Sequence, residues 1–425
     1  MKNEDRSKII TVIILLILEI AILFGGSFFE KNEPADSKEV TESTDTANVS
    51  DDEEETKSGD SEVKSEEELK EFEQIAESGD VEEILANMSL SDMVYQMMFV
   101  TPESITGMGT VVQAGDKTKE AIKKYPVGGL IYFTNNFENR KQTIDMIQKT
   151  QEYSAIPLFI GVDEEGGIVS RLGKKTEMGT TKHPPMQTIG ETGNPEKAYE
   201  IGKTLATDLK ELGFNVDFAP DADVLVNEDN TEIGTRSFGS DPELVATMVQ
   251  SLVKGLEENG VSSTLKHFPG HGSTYVNSHT GYSESKRTID ELKECELIPF
   301  ISGIEAGADF VMISHMTPIN ITEEKVPCSI SKEIITDMLI NELGYKGIII
   351  TDSLSMGAVT EEYTVGDAAV RAVKAGVDMI LMTPDVKKAH DAIVKAVNDG
   401  DISEERIKTS VRKILVLKQE KGILK

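Results

Sequence analysis

Short apolar runs alternate with longer amphipathic stretches along most of this chain. Eight of the apolar runs are rich in β-branched and aromatic residues: Met97–Val100, Gly129–Phe133, Leu158–Val162, Val216–Ala219, Ser263–Leu265, Phe310–Ile313, Gly347–Ile350 and Val377–Met382. Other stretches repeat their apolar positions with the period of an α-helix: Glu191–Leu212, Pro242–Asn259, Glu291–Ala306, Lys332–Leu343, Val365–Ala375, Val386–Asn398 and Glu404–Glu420. Continuous apolar runs that alternate with helices indicate parallel strands buried on both faces. The pattern therefore predicts an α/β fold.

The number of strand–helix units favours one arrangement of that fold. Eight units suggest a closed (β/α)8 TIM-type barrel, which would occupy residues 81–425 as a single domain. An open doubly wound sheet is the alternative. Such sheets often have a glycine-rich phosphate-binding loop after a strand, but neither GxGxxG nor GxxxxGKS follows any of the eight runs. The barrel is therefore the preferred interpretation.

Ionisable side chains lie at or near the ends of five of the eight runs. They are Asp163, Asp217, the pair Lys266-His267, His315 and Asp352. In a barrel, the loops that follow the strands meet at one rim and build the site. Strand ends are also polar because they reach the surface, but this does not account for the glycines and prolines that flank several of these residues. We therefore predict a site at the carboxyl ends of the strands.

The first part of the chain has a different character. Met1–Lys8 is basic, and Ile9–Phe29 is apolar and long enough to cross a bilayer as a helix at about 1.5 Å per residue. Basic residues before the span and acidic residues after it predict a cytoplasmic N-terminus. Residues 1–29 are thus interpreted as a signal-anchor, with the rest of the protein on the extracellular face of the cytoplasmic membrane. The alternative is a signal peptide cleaved near Gly25–Ser27, which would give a secreted protein.

Residues 30–80 are strongly acidic. They hold twenty acidic residues against five lysines, and such a segment cannot bury enough surface to offset its ordering entropy. We predict an extended, disordered linker that acts as a spacer through an anionic wall layer or only adds solubility. The formal net charge of −32 argues against nucleic acid as a partner, because phosphate binding needs a basic surface. Cys295 and Cys328 follow no disulfide spacing rule.

The richest candidate site is Ser262–His279, which reads SSTLKHFPGHGSTYVNSH. It contains three of the six histidines of the chain, and Pro269-Gly270 ends a strand there and starts an irregular loop. A zinc site on His267 and His271 is one alternative, since i, i+4 spacing puts two rings on one face of a helix. Pro269 disfavours that helix, and no cysteine lies near. A purely structural loop is a second alternative, but it explains a lysine, three histidines and an asparagine poorly. A binding or catalytic site without a metal is the preferred interpretation.

This stretch resembles the KHFPGHG…DSH signature of family 3 glycoside hydrolases, in the bacterial β-N-acetylglucosaminidase branch. Seven contiguous residues match, Lys266–Gly272, and the departure is Asn277, where the family has aspartate. Gly161–Leu172 reads GVDEEGGIVSRL and is similar to the family's substrate-binding GVDQEGGxVxRL. Arg236–Pro242 reads RSFGSDP and matches the same family. The resemblance covers essentially residues 81–425.

The resemblance implies roles for individual residues. Asp352, in the stretch GIIITDSLSMGA, would be the nucleophile, and His279 would be the acid/base. Asn277 stands where the family has the aspartate that orients this histidine. Histidine suits proton transfer because its pKa lies near neutral pH. The motifs and strand ends together give these substrate-binding candidates: Asp163, Arg171, Arg236, Lys266, His267, His271 and His315.

The activity implied by the resemblance is that of a retaining exo-β-N-acetylglucosaminidase. It would release terminal β-linked GlcNAc from aminosugar glycosides such as peptidoglycan-type cell-wall fragments, through a glycosyl-enzyme intermediate on Asp352 and without a cofactor. Two alternatives are open because Asn277 gives His279 no negative charge. The protein would then be a catalytically weak member that binds wall sugars, or a phosphorylase of GlcNAc glycosides in which a neutral pair repels phosphate less than a carboxylate does. The presence of the nucleophile with the other motif residues favours the hydrolase.

Overall fold

A computed structural model describes residues 72, 74–275 and 283–425 of the chain, and these belong to one compact unit. The strands are β1 Met98–Val100, β2 Gly129–Ile131, β3 Phe159–Val162, β4 Glu164–Gly166, β5 Val169–Ser170, β6 Val216–Asp217, β7 Thr264–Phe268, β8 Glu284–Ser285, β9 Phe310–Ile313, β10 Thr317–Pro318, β11 Ile348–Thr351 and β12 Ile380–Leu381. The helices of seven residues or more are Leu90–Gln96, Asp116–Lys124, Arg140–Glu152, Pro195–Leu212, Pro242–Glu257, Leu297–Glu305, Glu333–Glu342, Val365–Ala375, Val386–Asn398 and Glu404–Glu420.

The core of the fold is built from parallel strands. One sheet has the order β12-β1-β2-β3-β6, a second has the order β11-β9-β7, and every strand pair in both is parallel. Isolated parallel bridges from Val216 to Ser262 and from Ile350 to Met379 join the edge strands of the two sheets. Each of the eight predicted runs overlaps one of these eight strands; β7 extends three residues past its run, to Phe268, and β11 one residue past its run, to Thr351. The prediction of an α/β fold with a parallel core is therefore confirmed.

Two glycines allow the first strands to pack closely around Phe99 of β1. A Cβ atom at Gly129 of β2, or at Gly161 of β3, would lie 2.8 Å from the ring of Phe99. The Gly161 position also has Phe218 at 2.8 Å, and Phe218 packs edge-on against Phe99 with the ring centroids 5.2 Å apart. Real Cβ atoms do not approach so closely, because interiors are packed to the density of organic crystals. Glycine at these two positions leaves the space that the aromatic rings fill.

The predicted helices form, and the differences in their bounds have local causes. Val365–Ala375, Val386–Asn398 and Glu404–Glu420 have the predicted bounds. The helix predicted from residue 191 begins at Pro195, because Asn194 caps it by accepting a hydrogen bond from Glu196 N. Proline is favoured at the first helical position, where no backbone N–H is needed.

The predicted helix Glu291–Ala306 is divided into Ile289–Glu294 and Leu297–Glu305. Pro299 has no N–H to donate to the carbonyl of Cys295, and its ring would clash with that carbonyl in a continuous helix. In the divided arrangement Pro299 lies in the first turn of the second helix, where no intrahelical hydrogen bond requires its missing N–H. The segment Glu333–Glu342 has π-helical winding, and at its end Leu343 N donates to Met338 O at 2.9 Å.

The packed core extends on the N-terminal side of residue 81, where the folded part was predicted to start. Phe72 and Ala76 are buried and belong to the hydrophobic core. In residues 72, 74–275 and 283–425 there is no helix that combines the length and the apolar character of a membrane span. The predicted signal-anchor Ile9–Phe29 and most of the predicted acidic linker lie outside the described residues.

Candidate functional site

A short antiparallel hairpin, β4–β5, follows β3 and begins the site. The Oδ1 atom of Asp217, at the end of β6, accepts a hydrogen bond from Glu164 N at 3.0 Å. The Glu164 carboxylate accepts from the backbone N–H groups of Arg171, Leu172 and Gly173 at 2.7, 2.8 and 3.1 Å. Burial raises the pKa of Asp217 well above its usual range. Asp217 and Glu164 therefore hold the hairpin in shape, and the residues on either side of Glu164 are presented to the site.

Lys266, in the middle of β7, lies between two of those presented carboxylates. Its Nζ atom is 3.1 Å from Asp163 Oδ1 and 2.5 Å from Glu165 Oε1. Arg171 Nη2 lies 3.2 Å from the other oxygen of Asp163, and its guanidinium stacks over Phe133 at 5.4 Å from the ring centroid. Burial would lower the pKa of Lys266, but the charges of Glu165 and Asp163 outweigh burial and raise it. The lysine is therefore a buried, charged centre that links two motif stretches.

Arg236 is bound to the same Glu165 from the other side. Its Nε and Nη2 atoms donate to the two oxygens of Glu165 at 2.9 and 2.8 Å, and Nη1 donates to Glu232 O at 3.0 Å. Burial alone would raise the pKa of Glu165, but the charges of Arg236 and Lys266 lower it to about 2. Glu165 is thus ionised at neutral pH and holds both cations in place with paired hydrogen bonds.

The imidazole of His267 connects Arg236 to a second buried carboxylate. His267 Nδ1 lies 2.8 Å from Asp223 Oδ2, and Arg236 Nη2 lies 3.3 Å from His267 Nε2. Because a guanidinium can only donate, Nε2 is an acceptor in that contact and the ring proton lies on Nδ1. Burial lowers the pKa of His267, and the neighbouring Asp223 carboxylate raises it. The effect of Asp223 is the larger, so the pKa lies above its usual value. Asp223 Oδ1 also accepts from His271 N at 2.5 Å, so this carboxylate joins both histidines of the motif.

Asp221 is buried beside Asp223 and is the other acid in this part of the site. One of its oxygens accepts from Asp223 N at 3.0 Å, and Oδ2 lies 3.4 Å from Arg236 Nε. Burial and then the charge of Asp223 raise the pKa of Asp221 to about 7, although Arg236 opposes them. This carboxyl therefore titrates near neutral pH within contact of a charged arginine.

The predicted alternative of a metal site can be tested against this geometry. Donor atoms of Asp221, Asp223 and His267 all lie within 4.8 Å of one another, the only such group among the described residues. The guanidinium of Arg236 already contacts two of these donors, at 3.4 and 3.3 Å. A metal ion would have to bind beside that fixed positive charge, which costs Coulomb energy in a buried place. These three side chains are therefore better suited to binding the guanidinium of Arg236 than to binding a metal ion.

Asp352 and His315 lie at the ends of the neighbouring strands β11 and β9. The Oδ1 atom of Asp352 accepts from Ser353 N at 2.7 Å, and its backbone N donates to Ile313 O at 2.9 Å. His315 Nε2 donates to Ser353 O at 2.8 Å, and its Nδ1 accepts from the Ser329 hydroxyl at 2.8 Å. His315 therefore supports the backbone of the loop on which Asp352 lies.

The structure thus brings six of the predicted site residues into one connected network: Asp163, Arg171, Arg236, Lys266, His267 and His271. Asp352 and His315 form a second pair of neighbours. Asn277 and His279 lie outside the described residues. The sequence analysis missed Glu165, Asp221 and Asp223, which are the buried acids that hold the network together. A signal existed in the sequence, since Asp221 and Asp223 follow the β6 run within four residues and Glu165 lies inside a motif.

The arrangement is suited to binding a neutral, hydroxyl-rich ligand. It offers carboxylate acceptors and guanidinium and ammonium donors in fixed positions, and opposite charges balance within it. Carbohydrate hydroxyls both donate and accept hydrogen bonds, so such a surface can satisfy several of them at once. Asp352, held by its hydrogen bonds at a strand end, adds a carboxylate that can serve as a nucleophile.

Comparisons with known proteins agree with this chemistry. Residues 89–417 match the model of the glycosyl hydrolase family 3 N terminal domain. A beta-hexosaminidase A of Pseudoalteromonas piscicida is 32% identical over 324 residues, which are 70% of this chain and 54% of that protein. A beta-hexosaminidase of Nitrosomonas eutropha is 32% identical over 302 residues, which are 70% of this chain and 84% of that protein.

A solved structure is also similar, that of a glycoside hydrolase family 3 beta-N-acetylglucosaminidase from Paenibacillus sp. str. FPU-7. The TM-score is 0.74 and the identity is 37%, and the match covers 79% of this chain and 63% of that chain. This chain therefore spans 54% of the length of the Pseudoalteromonas relative and 63% of the solved structure.

Proposed function

This chain belongs to glycosyl hydrolase family 3, and from that premise we propose that it is a retaining exo-β-N-acetylglucosaminidase. The observation that supports the proposal is the network of the candidate site. Residues from three separate sequence motifs meet there: Asp163 and Arg171 from the first, Arg236 from the second, and Lys266 from the third. Similar proteins named beta-hexosaminidase and beta-N-acetylglucosaminidase support the same substrate class.

We propose further that the eight parallel strands close into a (β/α)8 barrel. The two bridges between the sheets, Val216 to Ser262 and Ile350 to Met379, support closure at both junctions. In such a barrel the carboxyl ends of all eight strands face the same rim, and active sites lie there. Asp163 and Asp352 each lie directly after the carboxyl end of a strand, and Lys266 within β7 reaches Asp163, so the proposed substrate would bind at that rim.

In the proposed mechanism the sugar is held by the network and attacked by Asp352. Asp163 accepts hydrogen bonds from sugar hydroxyls, while Arg171, Arg236 and Lys266 donate to other sugar oxygens. The Asp352 carboxylate attacks the anomeric carbon and forms a glycosyl-enzyme as the bond to the leaving oxygen breaks.

Proton transfer completes the proposed cycle. The proton for the leaving oxygen comes from His279, which then removes a proton from the water that releases the sugar. Asn277 orients this histidine without adding charge. His315 acts indirectly, through the loop that presents Asp352.

The test is turnover of a chromogenic β-glycoside of GlcNAc by the purified protein, with and without inorganic phosphate. Hydrolysis that is independent of phosphate is the expected result. Turnover that requires phosphate and gives GlcNAc-1-phosphate would establish the phosphorylase. Binding of GlcNAc without turnover in either condition would establish the sugar-binding protein, and all three outcomes are distinguishable by product analysis.

We also propose that the substrates are cell-wall fragments and that the protein acts on the extracellular face of the cytoplasmic membrane. This proposal depends on the sequence alone, on the apolar stretch Ile9–Phe29 and the acidic residues 30–80. Protease added to intact, wall-stripped cells should release an active fragment. Protection of the protein under those conditions would show that the topology is wrong.

A further inference from the structure

A short 3-10 helix that no sequence motif indicated holds the chain just after β9. Cys328 N donates to Met316 O at 2.9 Å, and Ser329 N donates to Ser314 O at 3.0 Å. Cys328 and Ser329 are fully buried, and His315, which lies between the two accepting residues, is 1% exposed. The backbone that carries this imidazole is therefore fixed on both sides by hydrogen bonds from the 3-10 helix.

The side chain of Ser329 fixes the ring of His315 as well. Ser329 Oγ lies 2.8 Å from His315 Nδ1, and His315 Nε2 lies 2.8 Å from Ser353 O. A carbonyl oxygen can only accept, so in the neutral ring Nε2 carries the proton and Nδ1 accepts from the hydroxyl. The ring is thus held at two opposite points, and Nε2–H is directed at the Ser353 carbonyl.

Ser353 in turn contacts the carboxylate of Asp352. Ser353 N donates to Asp352 Oδ1 at 2.7 Å, and the Ser353 carbonyl accepts from Met356 N at 3.0 Å in addition to His315 Nε2. On the other side, Asp352 N donates to Ile313 O at 2.9 Å. The segment at the end of β9 therefore holds the Asp352 loop twice, once through a backbone carbonyl and once through an imidazole. Only the second contact depends on a side chain and on what orients it.

We infer that Ser329 is a positioning residue for the nucleophilic step, an inference that rests on the proposed function of Asp352. It acts through the ring of His315, in a chain of hydrogen bonds that runs from Ser329 to His315, Ser353 and Asp352. A ring without its Nδ1 partner can rotate about the Cβ–Cγ bond and turn Nε2–H away from the Ser353 carbonyl. A nucleophile must be held close to its attack geometry, and a misplacement of about 1 Å costs about hundredfold in rate.

The choice of substrate isolates the nucleophilic step from proton donation. A 2,4-dinitrophenolate leaves without a proton, so its departure does not depend on an acid. For a retaining enzyme, kcat/KM covers the steps up to formation of the glycosyl-enzyme. With the 2,4-dinitrophenyl β-glycoside of GlcNAc, kcat/KM therefore reports sugar binding and the attack of Asp352, and the residues of the sugar-binding network are left unchanged.

The experiment compares Ser329→Ala with the wild-type protein on this aryl glycoside. The alanine keeps the backbone hydrogen bond to Ser314 and removes only the hydroxyl. We expect kcat/KM, per folded protein, to fall about tenfold. The matched control is Ser410→Ala, because Ser410 is also fully buried and its hydroxyl donates to Asp378 Oδ1 from the C-terminal helix. That control should change kcat/KM by less than about twofold.

A second measurement follows the Nε2–H proton of His315 in protein labelled with ¹⁵N at histidine, where the signal is assigned by its loss in His315→Gln. Hydrogen bonding to Ser353 O and burial protect this proton from exchange with solvent. We expect Ser329→Ala to increase its exchange rate by about tenfold or more, and Ser410→Ala to leave it unchanged. Ser329→Cys, whose thiol is a weak donor of similar size, should shift both quantities in the same direction and replaces the alanine variant if that one does not fold.

An unchanged kcat/KM in Ser329→Ala would overturn the inference, and so would an equal loss in Ser410→Ala. A loss without faster exchange of the His315 proton would also overturn it, because Ser329 would then not act through the imidazole. In each of these cases the wild-type rate still supports the proposed function. Absence of wild-type turnover would instead overturn the proposed function, and with it the positioning of a nucleophile by Ser329.

Discussion

Two clusters in this protein have the same composition and lie at opposite ends of the parallel strands. The rim cluster, at the carboxyl ends, consists of Asp163, Glu165 and Lys266. The base cluster, at the amino ends, consists of Glu257, Asp309 and Lys421. Each places a lysine between two carboxylates. Residue types alone therefore do not distinguish a site from a structural anchor.

The partners of the glutamate in each cluster make the difference. Glu165 contacts the side chains of Lys266 and Arg236, and these two cations lower its pKa to about 2 despite burial. Glu257 has one cation, Lys421, and burial together with the charge of Asp309 raises its pKa to about 7. The rim glutamate is thus a permanent anion between donors that can also bind a ligand.

The glutamate of the base cluster connects backbone elements instead. One oxygen of Glu257 accepts from Ser263 N at 2.8 Å, from Ser263 Oγ at 2.6 Å and from Asp309 N at 3.3 Å. It therefore ties the end of a helix to the starts of β7 and β9. A cavity of about 550 Å³ opens beside this cluster and is lined by Lys210, Glu257, Glu258, Asn259, Gly260, Asp309, Glu420 and Lys421. None of the motif residues lines it, so this cavity lies apart from the candidate site.

The largest expected effect is that of a matched pair of aspartates. Asp352→Asn removes the charge of the proposed nucleophile with little change in volume, so kcat should fall about 10⁴-fold or more. Asp309→Asn makes the same change in the base cluster and should leave kcat unaltered. The measurement is the steady-state rate on a chromogenic GlcNAc β-glycoside, with circular dichroism to verify folding. If both variants kept near-normal rates, the assignment of the nucleophile would be wrong.

The second prediction concerns Glu165, the glutamate of the rim cluster. Glu165→Gln takes the shared anion from Lys266 and Arg236, so kcat/KM should fall about hundredfold because both donors lose their fixed positions. The free energy of unfolding should also fall, by about 3 kcal/mol at any pH between 5 and 8, since a buried pair that loses one partner leaves an uncompensated charge. Urea unfolding and kcat/KM measured on the same preparation check both parts. An unchanged kcat/KM would show that Glu165 does not organise the site.

The comparison also shows what the sequence could and could not predict. A buried parallel strand is a local signal, so all eight strands overlap the predicted runs, although β7 and β11 extend past the ends of theirs. The motif residues were found because Lys266 and His267 are adjacent in the chain and directly follow a predicted apolar run. The acids that hold them could not be found in the same way. Asp223 and His267 are 44 residues apart, and Glu165 and Arg236 are 71 apart, so these pairs exist only because the strand order brings their ends together.

The third prediction concerns Glu257 and, unlike that for Glu165, expects a change in stability without a change in catalytic rate. Its folded pKa of about 7 lies above the usual value for a free glutamate of about 4.3. The stabilisation from the bound proton is complete below about pH 4.3 and is lost as the pH rises through 7, a change of about 4 kcal/mol. Glu257→Gln cannot titrate, so its free energy of unfolding should lack this part of the pH dependence while its catalytic rate stays normal. Urea midpoints at pH 5 and pH 8 for both proteins give the difference, and equal slopes would contradict the prediction.

The smallest expected effect concerns Asp221, the rim carboxyl whose pKa of about 7 matches that of Glu257. Above pH 7 its ionised carboxylate lies 3.4 Å from Arg236 Nε and competes with a sugar oxygen for the guanidinium. KM should therefore rise about threefold between pH 6 and pH 8 in the wild-type protein, and Asp221→Asn should remove that rise.

Three charged groups around this carboxyl do not affect the Asp221 test. Asp223, Glu165 and Arg236 keep their charges across the same range, because neighbouring opposite charges hold the pKa values of the two acids low and that of the arginine high. The charge of Asp221 also raises the pKa of His267, so the comparison measures the joint effect of Asp221 and His267 on KM. The measurement is KM for the chromogenic glycoside from pH 5.5 to 8.5, with Glu257→Gln as the second control. Two carboxyls of the same pKa would then act on different quantities, Asp221 on substrate binding and Glu257 on stability. The assignment of Asp221 to substrate binding and of Glu257 to stability would be wrong if Asp221→Asn had the wild-type KM profile or if Glu257→Gln changed that profile.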